Sequence, residues 1–286
     1  MDLPAPGRQA GRVLELAPLL RGLRRLGFGL AIGLFAFAIF GPLVNLLLWA
    51  VAEQWYFPYK LPLEYGFSFW ERVFRPRGNA MESLGNSIAI ALFTVALCLL
   101  VSIPAGYALA RRSLALRGLI LLAFLLPQAF PSLAVYINVA RIFYGLGLNG
   151  TITGVVLVHT MHGLVFSVWI ATAAFAAVDR ELEEAARSIG ASPLRTFMTI
   201  TLPLAAPGIM ASAIFVFLES LDEFTGTYFV GVPDVTTLPL LLFRASMEGN
   251  YQIASITALI LLVPSVGFML FIERFLKADV LAKVGG

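Results

Sequence analysis

The chain has 286 residues, 59% of them hydrophobic and only 13% charged, with a formal net charge of +3 and a mean hydropathy of +0.87. That balance lies outside the range of soluble globular domains and points to a membrane protein. The basic residues sit in short clusters between apolar runs rather than along one polar face, which argues against nucleic acid as a partner. The single cysteine, Cys98, lies inside an apolar run, so the sequence provides neither an intrachain disulfide nor a cysteine metal site.

Crossing about 30 Å of hydrocarbon takes roughly 20 apolar residues in a helix. Stretches at about 28–51, 86–110, 118–140, 152–177, 205–230 and 255–275 meet that length. The expected fold is therefore an all-α membrane domain of six transmembrane helices over residues 28–276. A tail at 1–27 precedes it and a tail at 277–286 follows. The first apolar run begins after the polar tail and lacks a small-residue cleavage site, so it does not read as a secretion signal. Within the tail, residues 13–26 interleave Leu14, Leu16, Leu20 and Leu23 with arginines, the pattern of an interfacial amphipathic helix interrupted by Pro18.

Lys and Arg set the expected orientation. Arg8, Arg12, Arg21, Arg24 and Arg25 in the N-terminal tail, Arg111, Arg112 and Arg117 after the second span, Arg180, Arg187 and Arg195 after the fourth, and Arg274, Lys277 and Lys283 near the end all fall on one side. Both termini are thereby expected in the cytoplasm. The loop at 53–83 falls outside. It is rich in aromatic residues, from Trp55 and Tyr56 to Phe69 and Trp70, as an interfacial aromatic belt would be.

In the third span Pro127 and Pro131 bracket Gln128, a pattern that frees backbone carbonyls and kinks a helix. Gln128, Tyr136 and Asn138 are the polar candidates for a solute pathway there. The fourth span carries His159 and His162 one turn apart. Without a nearby carboxylate in sequence they make a poor metal site, and interhelical hydrogen bonding suits them better.

The stretch "EEAARSIGASPLRTF" (183–197) interrupts the apolar pattern between the fourth and fifth spans. Leu182, Ala185, Ala186 and Ile189 fall at i, i+3, i+4 and i+7, giving a short helix one narrow apolar stripe. Gly190 stands where a left-handed C-terminal cap is wanted, and Ser192 followed by Pro193 reads as an N-cap and first helical residue. The result is a helix hairpin over 179–203, whose second arm should stop near Ile200 because Pro203 disfavours helix in the residue before it. Such a hairpin suits a partner's cleft and the bilayer surface equally.

The spacing carries more. Glu184-Ala185-Ala186, three residues, Gly190, nine residues, then Ile200-Thr201-Leu202-Pro203 resembles the EAA signature of ABC importer permeases at every defining position. "NSIAIALFTVALCLLVSIPAGYALAR" (86–111) is similar to that family's second span, and "TLPLLLF" (237–243) to its re-entrant segment. The resemblance implies a type I ABC importer permease fold with a cytoplasmic coupling helix, in the cell inner membrane. Two permease subunits, expected as a heterodimer, would form the channel. A dimer of ATPase subunits would drive it with ATP and Mg, and a periplasmic or lipid-anchored binding protein would deliver solute. Glu184, Ala185, Ala186, Ile189, Gly190, Ser192 and Pro193 would make the ATPase-coupling contact. The chain itself lacks a Walker A loop, so it is expected to bind no cofactor and catalyse no covalent step.

The fifth span contains Glu219, Asp222 and Glu223 in "FLESLDEFTG". Charges at membrane depth cost about 2.5–3.5 kcal/mol each and usually face a bundle interior or a watery cavity. Their spacing places all three on one helical face. They could pair with Arg244 or Arg141, stay hydrated near the outer interface, or attract a cationic solute. "SLDEFTGTYFVG" followed by "TLPLLLF" resembles most the polyamine branch of these permeases, which has relatives for aminophosphonates, opines and other small solutes, and it departs from the sugar permeases, which tend to have aromatic-Asn-Glu-Phe where this chain has Leu221-Asp222-Glu223-Phe224. The expected function is therefore one channel subunit of an importer for a small cationic solute. The alternatives are the same importer for another small solute, or an ion-coupled secondary transporter in which the acids carry protons.

Overall fold

Apolar runs become helices here because a helix satisfies every backbone polar group within its own segment, which hydrocarbon demands. The computed structural model describes residues 9–75 and 79–284, with side chains described for Gly22, 24–75 and 79–274. The expectations resting on Arg8 and on the side chains of 12–21, Leu23, Lys277 and Lys283 lie outside the described residues.

The chain divides into two units, 1–66 and 67–286. In the first, α1 (Gln9–Ala50) is one continuous helix, so the amphipathic segment expected at 13–26 is its first part rather than a separate element. Most side chains over 24–47 are exposed and none is buried, as for a helix facing lipid or another subunit, whereas Ala50 at its end is buried. A short antiparallel pair follows, β1 (Ala52–Gln54) with β2 (Glu64–Tyr65), in which Ala52 lies opposite Tyr65 and Gln54 opposite Glu64. The aromatic loop between them packs on itself: Trp55 donates from Nε1 to the Tyr59 carbonyl at 3.0 Å, and Tyr56 meets Tyr59 edge-on.

The second unit runs α2 (Ser68–Phe74), α3 (Ala80–Arg111), α4 (Arg117–Ala129), α5 (Ser132–Gly145), α6 (Ile152–Ala176), α7 (Arg180–Ser188), α8 (Pro193–Thr196), α9 (Leu202–Asp222), α10 (Thr225–Val230), α11 (Leu238–Met247) and α12 (Tyr251–Val284). Helices α3, α6 and α9 form its centre. Close approach requires small residues: a Cβ on Gly106 would stand 2.8 Å from the Ala171 side chain and 2.9 Å from backbone of α6. Ala91, Val95 and Cys98 of α3 meet Val216, Phe217 and Leu221 of α9, with Ile272 of α12 in the same cluster. Helix α11 is tied to the start of α3, since Ser87 Oγ accepts from the Leu238 amide at 2.9 Å.

Among the described residues five helices are long and apolar enough to cross a membrane, and six if α4 and α5 count as one span. In that pair the kink expected within the span at 118–140 is a full break, with the axes 96° apart. The cause is local: Pro131 has no N–H to continue the ladder, and Phe130 before it is extended at φ −105°, ψ 149°. The fifth span departs from expectation at both ends. It stops at Asp222, and at its start helix runs on through Pro203. A π turn at Phe197–Thr201 lets the Leu202 amide reach the Phe197 carbonyl. Pro203 then falls at the first positions of α9, where a missing donor costs little.

Candidate functional site

Two regions of the second unit gather the polar side chains singled out by sequence. One is the elbow between α6 and α9. Asp179 caps α7 by accepting from the Glu181 amide at 3.0 Å. At the other end Gly190 adopts φ +92°. The Gly190 amide reaches the Arg187 carbonyl at 3.0 Å and the Ala191 amide the Ala186 carbonyl at 3.1 Å, closing a Schellman cap. Ser192 Oγ accepts from the Arg195 amide at 3.3 Å, with Pro193 first in α8. The turn is therefore specified by its own sequence.

Burial divides the stripe of α7 in two. Ala186 packs inward, whereas Leu182, Ala185 and Ile189 are exposed, Ile189 by 89%. Glu184 is also exposed, and its neighbour Glu183 is the acid that turns in. One oxygen of Glu183, Oε1, accepts from Arg111 Nε at 2.9 Å, lies 2.9 Å from Arg111 Nη2, and accepts from Thr201 Oγ1 at 2.9 Å. Arg111 Nη2 also donates to the Val178 carbonyl at 2.8 Å, and Arg180 Nη2 donates back to the Ala110 carbonyl at 3.1 Å. The Arg111 and Glu183 side chains are only 9% and 7% exposed. Sequence reading passed over Glu183 because a hydrophobic stripe assigns a glutamate to the solvent side.

The second region lies where α6 faces α9 and the α4–α5 break. His162 Nε2 is 2.7 Å from Glu219 Oε1, with these side chains 23% and 34% exposed. The Gln128 amide nitrogen stands 3.3 Å and 3.4 Å from the two ring nitrogens of His162, and Tyr136 Oη lies 3.5 Å from Nδ1. One turn away His159 is buried, with Nδ1 2.8 Å from Ser220 Oγ and Nε2 2.9 Å from Thr227 Oγ1 and 3.3 Å from Glu223 Oε2. Glu223 folds back on its own chain. Both of its oxygens accept from the Gly226 amide at 2.9 Å, and Oε2 also accepts from Thr227.

Glu219 and Glu223, one turn apart at the end of α9, both meet histidines of α6, whereas Asp222 is exposed. Helix α9 ends at Asp222, and the chain turns away after Glu223, whose φ is −74° and ψ 116°. Glu219 and Glu223 take histidines as partners, not Arg244 or Arg141, and the carboxylates that His159 and His162 lack in sequence are supplied by α9 and the residue after it. Asp222 is exposed, and no hydrogen bond or ion pair of its side chain occurs among the described residues. Asn138 stands apart from the cluster, donating to the Ala134 carbonyl of its own helix at 2.8 Å. Among the described residues no group of three ligating side chains is placed to hold a metal ion. Beyond Glu223, Phe224 lines a cavity of about 610 Å³ together with Ser132, Tyr228, Phe243 and Arg244. Phe224 and Phe243 stack there with centroids 4.7 Å apart.

Residues 102–278 match the family model described as "Binding-protein-dependent transport system inner membrane component". The chain is 34% identical over 203 residues to a putative ABC transporter permease protein of Streptomyces antibioticus, an alignment covering 68% of this chain and 87% of that one. It is 30% identical over 195 residues to the sulfoquinovosyl glycerol transport system permease protein of Agrobacterium fabrum, covering 67% and 68%. In fold it is similar to a chain in the crystal structure of a bacterial ABC transporter involved in the import of the acidic polysaccharide alginate. That match has a TM-score of 0.64 at 16% identity and covers 96% of this chain and 99% of the other.

Proposed function

The chain belongs to the family of binding-protein-dependent transport system inner membrane components, and on that premise we propose that it forms one half of the channel of an ATP-driven importer for a small hydroxylated solute. A second permease subunit completes the channel, a separate ATPase dimer binds ATP and Mg, and a binding protein outside delivers the solute. Both termini and the elbow lie in the cytoplasm, where Leu182, Glu184, Ala185 and Ile189 face the ATPase with a surface that nothing in the described second unit covers.

The observation that carries the solute class is the state of the acids. A polyamine would need several free carboxylates to offset its charges, whereas Glu223 is held by His159 and two backbone amides and Glu219 already faces His162, leaving Asp222 as the one acid of the three with no partner among the described residues. What the path offers is a row of accessible donors and acceptors, Gln128, His162 and Glu219, with the buried Tyr136 hydroxyl against His162, which suits hydroxyl groups. The aromatic walls at Phe224 and Phe243 suit the apolar face of a sugar ring. The relative from Agrobacterium fabrum, named for a glycosylated glycerol, agrees with this class.

Proteoliposomes containing the assembled importer and its binding protein test the reading. ATP-dependent uptake of a sugar or polyol, with spermidine not accumulated, is the expected result. Uptake confined to polyamines would overturn the solute class, and uptake independent of ATP would favour the ion-coupled transporter.

A further inference from the structure

The importer reading leaves open how a push on an exposed elbow reaches helices that cross the membrane. Exposed residues of α7 can receive a force, but a helix of nine residues resting on its neighbours through apolar contact alone would slide or tilt under it. Apolar contacts are non-directional, whereas hydrogen bonds to a charged group fix both distance and angle.

The inner side of the elbow carries such bonds, and they lead to two separate spans. Arg111, the last residue of α3, reaches the Val178 carbonyl just before α7 and the Glu183 carboxylate within it. Arg180, in the first turn of α7, returns a bond to the Ala110 carbonyl at the end of α3. The two arginines thus cross-link the same pair of segments in opposite directions. From the same Glu183 oxygen a third bond runs to Thr201, inside the π turn that opens α9. π turns place a wider, more deformable ring within a helix and recur at functional hinges. This one is pinned at its last residue by the elbow.

We propose that Glu183, with Arg111 and Thr201, is the clamp that transmits elbow movement to α3 and α9 together, and that it acts as a positioning group distinct from the exposed Glu184. The proposal rests on the importer reading. In it, α7 moves as a rigid piece with the inner end of α3, and the π turn takes up the difference in motion between α7 and the rest of α9. The shared oxygen joins the two links. Loss of the Thr201 hydroxyl releases α9 while leaving α3 attached, and loss of the Glu183 charge weakens both links, with α3 still tied to the elbow through the Val178 and Ala110 carbonyls.

The test measures solute uptake and ATP hydrolysis in the same proteoliposomes, normalised to assembled complex. Glu183→Gln should lower uptake per ATP by about tenfold, since a hydrogen bond to a buried charge is commonly worth that factor. Thr201→Val should lower it by about threefold, and Thr201→Ser, which keeps the hydroxyl, should restore it. Glu184→Gln should not shift the mutual positions of α3, α7 and α9, read by cross-linking between cysteines placed on α3 and α9. A purely structural role predicts something different: less assembled complex, with uptake per ATP unchanged in whatever assembles. That result, or equal behaviour of Thr201→Val and Thr201→Ser, would overturn the clamp. Should Glu183→Gln not assemble, the two Thr201 variants decide alone. An uncoupled wild-type complex would instead overturn the importer reading beneath it.

Discussion

The elbow and the cluster between α6 and α9 each draw a glutamate out of solvent, Glu183 almost wholly and Glu219 in part, and they partner it in different ways. Glu183 meets an arginine, a permanently charged fork, in a setting where both side chains are less than a tenth exposed. Glu219 meets a histidine, whose charge is conditional, with a quarter to a third of each side chain open. A buried pair with a fixed charge has one arrangement and is costly to break, which suits a joint. A half-open pair can exchange partners with water or a passing hydroxyl, which suits a path. On the proposed reading, the burial and the choice of base separate mechanics from conduction within one helix bundle.

The contrast can be broken most forcefully at Arg111. Arg111→Met leaves Glu183 buried without a counter-charge and should destabilise the protein by about 3–5 kcal/mol, read as a large fall in the thermal unfolding midpoint of the detergent-purified complex. The equivalent change on the other side, His162→Leu, should cost much less, because the exposed part of Glu219 can be solvated. Equal losses would erase the distinction between joint and path.

Gly190 sharpens the same contrast from the geometry of the turn. Its φ of +92° disfavours any side chain, although the space around it is empty. Gly190→Val should therefore strain the elbow by about 1–2 kcal/mol and reduce uptake per ATP without altering which solute is carried. The smallest effect is expected at Asp222. Asp222→Asn removes an exposed charge and should shift stability by less than about 0.5 kcal/mol, with uptake of a neutral sugar unchanged at low and high salt. A strong salt-dependent loss would restore the cationic-solute reading.

What was legible in the sequence follows the range of the interactions. The turn at Gly190-Ala191-Ser192-Pro193 is built from caps spanning three to five residues, so each signal lies beside the residue that uses it. The break before Pro131 is local in the same way, although proline spacing does not reveal a bend of 96°. At Pro203 a local rule misled, because a π turn shifts the helical register and places the proline where its missing donor is harmless. Glu183 was hidden by distance: its arginine lies 72 residues earlier, and an acidic residue carries no weight in a hydrophobic stripe. The acids of "FLESLDEFTG" were noticed for their cost, but their histidine partners belong to α6, and only packing brings the two together.

The measurement that bears most directly on the account is uptake per ATP for two solutes, a neutral sugar and its singly aminated analogue, in Thr201→Val and Glu219→Gln importers assayed side by side. The account predicts that Thr201→Val lowers both solutes by the same factor and leaves their ratio unchanged, whereas Glu219→Gln changes the ratio and leaves the better solute coupled to ATP. If both variants lower both solutes equally, the elbow and the cluster between α6 and α9 are not separate in function, and the division between joint and path is wrong.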